Sequence, residues 1–311
     1  MKVGILVNPR HRRTSRVHTH LVEILKRGQI PYRSTTTTRT WPGAEQSSRL
    51  IDWGADVVVV LGGDGTLRAI APVLADTKVP VLIVPTGTAN VLSRHMGIRS
   101  AEHALLLAES FLESDPVSHQ DVAVNEADCY TAEGHHREHF LSLAGVGGDA
   151  RAVGGRTRLP APFNQGIVGY AYGAGRALFA PLTNARINAA EFDGDTKTRV
   201  WSVMASKTAR PAGPIPVFDH AEVTAEEFEF LAVELATTTP RDRLGEWARI
   251  GWDCLNRHPG ANPAMHYWRG REAAISLDAP APVQLDGDSI GDCSGLDLRA
   301  GTTSLTLLAP N

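Results

Sequence analysis

Val57-Val58-Val59-Val60-Leu61-Gly62-Gly63-Asp64-Gly65-Thr66 runs without a break into Leu67-Arg68-Ala69-Ile70-Ala71-Pro72-Val73-Leu74. The continuous β-branched run predicts a strand buried on both faces, the glycines a tight turn, and the pattern after them a helix. Three glycines around one aspartate permit positive φ and leave main-chain N–H groups bare, so an anionic oxygen can come close. The helix that starts there adds its own unpaired N–H groups and the positive end of its dipole. A phosphate fits such a turn. On this stretch alone, so does an ordinary glycine-rich strand-to-helix connection.

The segments on either side repeat the same grammar. Residues 1–9 open with Val3-Gly4-Ile5-Leu6-Val7 and stop at Asn8-Pro9, which reads as a first strand. A basic segment follows, Arg10 to Arg16, suited to nucleotide phosphates or acidic lipid headgroups and equally to a solvated face, and then a helix over 17–26. A short strand at 30–35 and a helix at 42–53 precede the valine run. Beyond it, 79–84 is another buried-type strand, ending in Pro85-Thr86-Gly87-Thr88-Ala89-Asn90 before a helix that begins at Val91. Strands and helices alternating at this spacing predict a doubly wound, mainly parallel, three-layer α/β/α domain. In it the C-terminal ends of the strands share one edge, so Asn8, Gly62 to Thr66 and Thr86 to Asn90 line one crevice.

After a helix at 101–113 the composition changes. Stretches at 121–125, 138–143, 186–192, 198–205, 228–236 and 273–277 read as strands without regular helices between them, and Asp193-Gly194-Asp195 is a hairpin signal. The expectation is an α/β domain over 1–120, with a return strand at about 296–311, and a mostly antiparallel, sandwich-like β domain over 121–295. Helical insertions are expected at 164–179 and 241–255.

The chain's 311 residues, 42% hydrophobic and 21% charged, suffice for two cores. A formal charge of −3 offers no global attraction to nucleic acid, and the six tryptophans do not interleave with basic residues as stacking platforms would. Cys129, Cys254 and Cys293 are odd in number and lack metal-ligand spacing, which suits free thiols in a reducing cytoplasm. Residues 161–182 are too polar, with Asn164, Gln165 and Arg176, for a membrane span. His135-His136-Arg137-Glu138-His139 has no second ligand cluster and reads as a solvated loop. Trp247, Trp252, Tyr267 and Trp268 read as core.

Taken together, Val7-Asn8-Pro9, Gly62-Gly63-Asp64-Gly65-Thr66, Pro85-Thr86-Gly87-Thr88-Ala89-Asn90 with Arg94, Asp121, and 140–150 with Gly147, Asp149 and Ala150 resemble the diacylglycerol kinase catalytic-domain family, which includes bacterial lipid kinases and sphingosine kinases. Val283-Gln284-Leu285-Asp286-Gly287-Asp288 is similar to that family's late aspartate-glycine-glutamate motif, with a shorter third acid. Three segments depart from the pattern: Arg10-His11 stands where Ser-Gly is frequent, Ala-Ser-Lys-Thr-Ala fills 205–209 in place of an asparagine-glycine segment, and 226–231 lacks an aspartate-glycine.

The resemblance implies ATP as donor, Mg²⁺ as cofactor and a hydroxyl of diacylglycerol or a related lipid, such as a sphingoid base, as acceptor, with the lipid entering between the domains. It places the nucleotide on Asn8, Pro9, Gly62, Gly63, Asp64, Gly65, Thr66, Thr86, Gly87, Thr88 and Asn90, and the general base in the late motif at Asp286. Asp64 is the competitor for catalytic duty, and Asp64 and Asp288 are the candidate metal ligands. A plain β-hairpin turn is the alternative for Asp286, and turn organisation the alternative for Asp64. The expected setting is cytoplasmic and in phospholipid metabolism, with transient peripheral membrane contact, no nucleic acid, and a homodimer as a further expectation. The rival functions are a soluble-acceptor kinase similar to NAD kinase and a nucleotide- or lipid-binding member with impaired turnover.

Overall fold

The computed structural model describes the whole chain except residues 11, 115, 157–172, 174, 193–195, 212–214, 237 and 238. It divides into two compact units, Met1–Val124 with Gly301–Asn311, and Asn125–Ala300.

The first unit is built on a six-stranded sheet. Strands β1 (Val3–Val7), β2 (Tyr32–Thr36), β3 (Val57–Gly62), β4 (Val81–Pro85), β5 (Ser118–Ala123) and β16 (Ser304–Ala309) lie in the order β2-β1-β3-β4-β16-β5. All neighbours are parallel except β5, which runs antiparallel to β16. Every residue of β1 and β3 is buried, as both-face coverage of a parallel strand requires, and burial of each valine or leucine contributes about 1.5–3 kcal/mol. Helices α1 (Arg12–Arg27) and α5 (Ala101–Leu112) pack together, as do α2 (Ala44–Asp52) and α3 (Asp64–Leu74), and the short α4 (Val91–His95) sits beside β4. The chain runs from β1 outward to β2, then returns to the other side of β1 for β3. The ends of β1 and β3 therefore form the sheet's topological switch point.

Ser118–Ala123, whose last residues the sequence assigns to the second domain, pairs instead along the whole of Ser304–Ala309 in this first sheet.

The second unit is all antiparallel in its sheet, ordered β13-β12-β11-β8-β14-β15-β6-β7, with β9 on β14 and β10 on β9. Its strands are β6 (Asn125–Thr131), β7 (Gly134–Phe140), β8 (Leu143–Gly147), β9 (Thr183–Asn188), β10 (Thr196–Val200), β11 (Ser202–Ser206), β12 (Phe228–Val233), β13 (Met265–Gly270), β14 (Glu272–Leu285) and β15 (Asp288–Arg299), with helices α6 (Gly148–Arg156) and α7 (Pro240–Leu255). The main core gathers Phe140, Phe228, Phe230 and Trp268 with aliphatic residues of most strands.

Two sequence expectations are corrected here. His135 to His139 are not loop but part of β7, paired with β6, and His135 and Arg137 reach Asp128. The stretch expected as one strand over 198–205 is two, because Trp201 breaks it and turns its indole to donate to the Ala177 carbonyl at 2.7 Å. Most of the insertion expected at 164–179, and the turn Asp193-Gly194-Asp195, lie outside the described residues, although β9 and β10 on either side of that turn do pair antiparallel.

Candidate functional site

The switch point brings three turns together. The Asn8 N–H donates to the Leu61 carbonyl at 2.9 Å, and the Asn8 amide Nδ2 to the Thr66 hydroxyl at 2.8 Å, which ties the end of β1 to the first turn of α3. Gly63 caps α3 in an extended conformation, and its carbonyl accepts the Thr66 amide at 3.0 Å and the Leu67 amide at 3.2 Å.

The two glycine turns are packed backbone to backbone. The Gly62 carbonyl accepts from the amides of Thr86, at 3.0 Å, and Gly87, at 3.3 Å. A Cβ added at Gly87 would stand 2.9 Å from Gly63 Cα and 2.8 Å from Asn90 Oδ1, so no side chain fits there. Asn90 adopts a left-handed conformation (φ 47°) and donates through Nδ2 to the Gly87 carbonyl at 2.7 Å, closing its own turn.

Asp64 organises this assembly. Its Oδ2 accepts the Val91 amide at 3.0 Å and its Oδ1 the Leu92 amide at 3.1 Å, so the carboxylate of one turn caps the helix that follows the other. Both oxygens are committed to main-chain donors. Of the roles open to Asp64 from sequence, turn organisation is the one the geometry displays.

Among the described residues of this unit, the buried side-chain atoms without a hydrogen-bond partner include Thr86 Oγ1, Asn90 Oδ1, Thr14 Oγ1 and Gln46 Oε1. Such atoms cost about 1–3 kcal/mol each when left unmade. Thr86 and Asn90 belong to the glycine turns: the Thr86 hydroxyl can donate to a nucleotide phosphate oxygen, and the Asn90 carbonyl oxygen can accept from a ribose hydroxyl. Among the described residues no group of three or more His, Cys, Asp or Glu could hold a metal ion. A magnesium ion carried by the nucleotide's own phosphate oxygens and water needs few protein ligands, so the donor set is compatible with one.

In the second unit the late motif forms a two-residue turn between β14 and β15, with positive φ at both Asp286 (50°) and Gly287 (82°), the conformation that favours Asp-Gly. The Asp286 carboxylate accepts four hydrogen bonds: Oδ2 from the Leu141 amide at 2.8 Å, and Oδ1 from the Ser142 amide at 2.8 Å, the Ser142 hydroxyl at 2.7 Å and the Leu143 amide at 3.0 Å. Its own amide donates to the Leu143 carbonyl at 2.7 Å. Burial pushes its carboxyl upward, and the four donors oppose that by favouring the anion. This carboxylate holds the segment between β7 and β8. Asp288, which begins β15, is the other acid of the hairpin and is half-buried.

The sequence names Asp149 within the 140–150 motif but does not pair it with its partners Ser202 and Gln284. Asp149, in the first turn of α6, accepts from Gln284 Nε2 at 3.0 Å and lies in a very short contact with the Ser202 hydroxyl, which is also 2.8 Å from the Val146 carbonyl. One hydroxyl proton cannot serve both oxygens. Burial pushes the Asp149 carboxyl upward, and the hydrogen bonds from Ser202 and Gln284 oppose that. Lys207, inside the segment that departs from the family pattern, is wholly buried. Its ammonium donates to the Ala225 carbonyl at 2.6 Å and lies 4.7 Å from the centre of the Phe228 ring, and burial pushes its pKa down to about 8. No signal in the sequence betrays either burial, since both follow from strand pairing.

Residues 2–119 match the family described as the diacylglycerol kinase catalytic domain. Over those residues the chain is similar to the diacylglycerol kinase catalytic domains. An uncharacterized protein of Synechocystis sp. is 24% identical over 268 residues, which are 83% of this chain and 55% of that protein, so the chain spans about half the length of that relative. A Bacillus anthracis structure provisionally named a diacylglycerol kinase superposes with a TM-score of 0.71 at 19% identity, covering 100% of this chain and 95% of the other. Yeast NADH kinase complexed with NADH superposes at 0.56 with 12% identity, over 100% of this chain and 84% of that one. These superpositions show that the chain shares the fold of both structures. Among the described residues no helix is long and apolar enough to cross a membrane.

Proposed function

We propose that this protein is an ATP-dependent lipid kinase that moves the γ-phosphate to a hydroxyl of diacylglycerol or a related lipid such as a sphingoid base. The observation that carries the donor half is the pair of glycine turns locked together by Gly62, Gly63 and Gly87, with Thr86 and Asn90 offering unpartnered oxygens. Phosphoryl transfer asks the protein mainly for charge neutralisation and alignment, which backbone amides and a nucleotide-bound Mg²⁺ supply. The acceptor half rests on the family match of residues 2–119.

In this reading Asn8, Pro9, Gly62 to Thr66 and Thr86 to Asn90 hold ATP. Asp64 fixes the geometry of the two turns, and Asp286 fixes that of the late hairpin. Asp288 takes the general-base role that the family's late motif implies, because its neighbour's carboxylate is already consumed. The protein works at a membrane surface on its lipid substrate.

The test is purified protein with radiolabelled ATP, Mg²⁺ and a panel of diacylglycerol, ceramide, sphingoid base and NAD⁺, with product identification. A phosphorylated lipid is expected. Phosphorylation of NAD⁺ alone would establish the soluble-acceptor alternative, and ATP binding without any acceptor turnover would leave a binding protein.

A further inference from the structure

Helix α7 carries two apolar faces. One, made of Arg243, Trp247, Ile250 and Cys254, is packed inward: Ile250 and Cys254 join the smaller core of the second unit, Arg243 donates to the Ala180 carbonyl at 2.8 Å, and the Trp247 indole donates to the Leu178 carbonyl at 3.0 Å. On another side of the helix, Leu244, Ala248, Trp252 and Leu255 recur at i, i+4, i+8 and i+11, which places them in one stripe. All four are exposed, Leu244 by 52%, Trp252 by 67% and Leu255 by 62%. Among the described residues no other element leaves more than one large apolar side chain so exposed. Trp252, expected from sequence to be core, is thus the most exposed of them.

The charges on the helix are sorted about this stripe. Arg241 falls within it, Arg249 flanks it and Arg257 follows its end; all three are exposed, and none makes an ion pair among the described residues. The acids lie on the far side and are held internally. Asp242 accepts the Thr239 hydroxyl at 2.5 Å, Glu246 the Ala236 amide at 2.9 Å, and Asp253 the Asn262 side-chain amide at 2.6 Å. An outward tryptophan and leucines bordered by unpaired arginines is the composition of a surface that lies in a membrane interface, with the apolar side chains among acyl chains and the arginines at anionic headgroups.

We propose that the Leu244-Ala248-Trp252-Leu255 face of α7 docks this protein onto an anionic lipid bilayer. The proposal deepens the lipid-kinase reading by naming the membrane-facing surface, and its test reads binding rather than turnover, so the two can fail separately.

The experiment is co-flotation of the full chain with vesicles of phosphatidylcholine alone or mixed with phosphatidylglycerol, together with tryptophan emission corrected by a Trp252→Phe variant. Wild type should bind the mixed vesicles, release at high salt, and show a blue shift that Trp252→Phe lacks. Trp252→Glu with Leu255→Glu should weaken binding about tenfold or more. Arg241→Gln with Arg249→Gln should weaken it about thirtyfold on anionic vesicles and little on neutral ones. Unchanged vesicle binding in both double variants overturns the proposal. So does a wild-type dimer by light scattering that the Glu variant abolishes while vesicle binding is absent, because the stripe would then be covered by a second copy.

Discussion

Asp286 Oδ1 accepts both the main-chain N–H of Ser142, at 2.8 Å, and its hydroxyl, at 2.7 Å, so a residue 144 positions away fixes the turn that joins β7 to β8. The same carboxylate takes the amides of Leu141 and Leu143. The hairpin turn and this segment are thus one rigid piece, and the two acids of the late motif have different tasks.

Replacing Asp286 with Asn turns an NH₂ group toward main-chain donors. The expected cost is about 2–3 kcal/mol of stability, seen as a lower urea midpoint with unchanged slope, and turnover falls with it. Asp288→Asn should instead leave stability within about 0.5 kcal/mol and lower turnover by about 10²–10⁴-fold with ATP affinity retained. Equal kinetic and stability losses in the two variants would refute this division of labour.

Thr86→Val removes a buried hydroxyl that has no protein partner. Stability should hold or rise slightly, since an unsatisfied group is deleted. ATP affinity, measured by calorimetry, should drop by about five- to tenfold if that oxygen meets the nucleotide. An unaltered affinity removes Thr86 from the site.

Gly87→Ala tests the contact between the turns. The new methyl meets the Gly63 main chain and Asn90 Oδ1 at under 3 Å, so one turn must shift. A destabilisation of about 1–3 kcal/mol is expected, and ATP binding should weaken more than in Thr86→Val because both cradles move. Thermal melts with and without ATP separate the two effects: the nucleotide-induced rise in Tm should largely vanish.

Lys207 predicts a pH signature. Its pKa is pushed down to about 8 in the folded protein, against about 10.4 for a solvated lysine. Between those values the unfolded chain binds more protons than the folded one, so stability contributed at this site rises with pH across that window and is flat below it. The difference in unfolding free energy between wild type and Lys207→Met should climb from pH 8 to pH 10. A difference independent of pH would show that the ammonium is not titrating.

The valine run and its glycines determined by themselves that a both-face-buried strand feeds a helix. With the Asn8 and Thr86 to Asn90 turns they determined the parallel sheet and its crevice, because strand period, glycine conformation and helix starts are local properties written in adjacent residues. The antiparallel character of the later chain was equally legible from its short strands. Only the tertiary structure decided which sheet takes Ser118–Ala123, since edge pairing depends on a partner 185 positions away, Thr306, whose hydroxyl donates to Asp121 at 2.6 Å. Tertiary structure likewise turned His135 to His139 into a strand, saturated Asp286, buried Lys207 and Asp149, and left Trp252 outward. Each of these is settled by which distant groups supply hydrogen bonds or cover a surface, and no spacing along the chain encodes that.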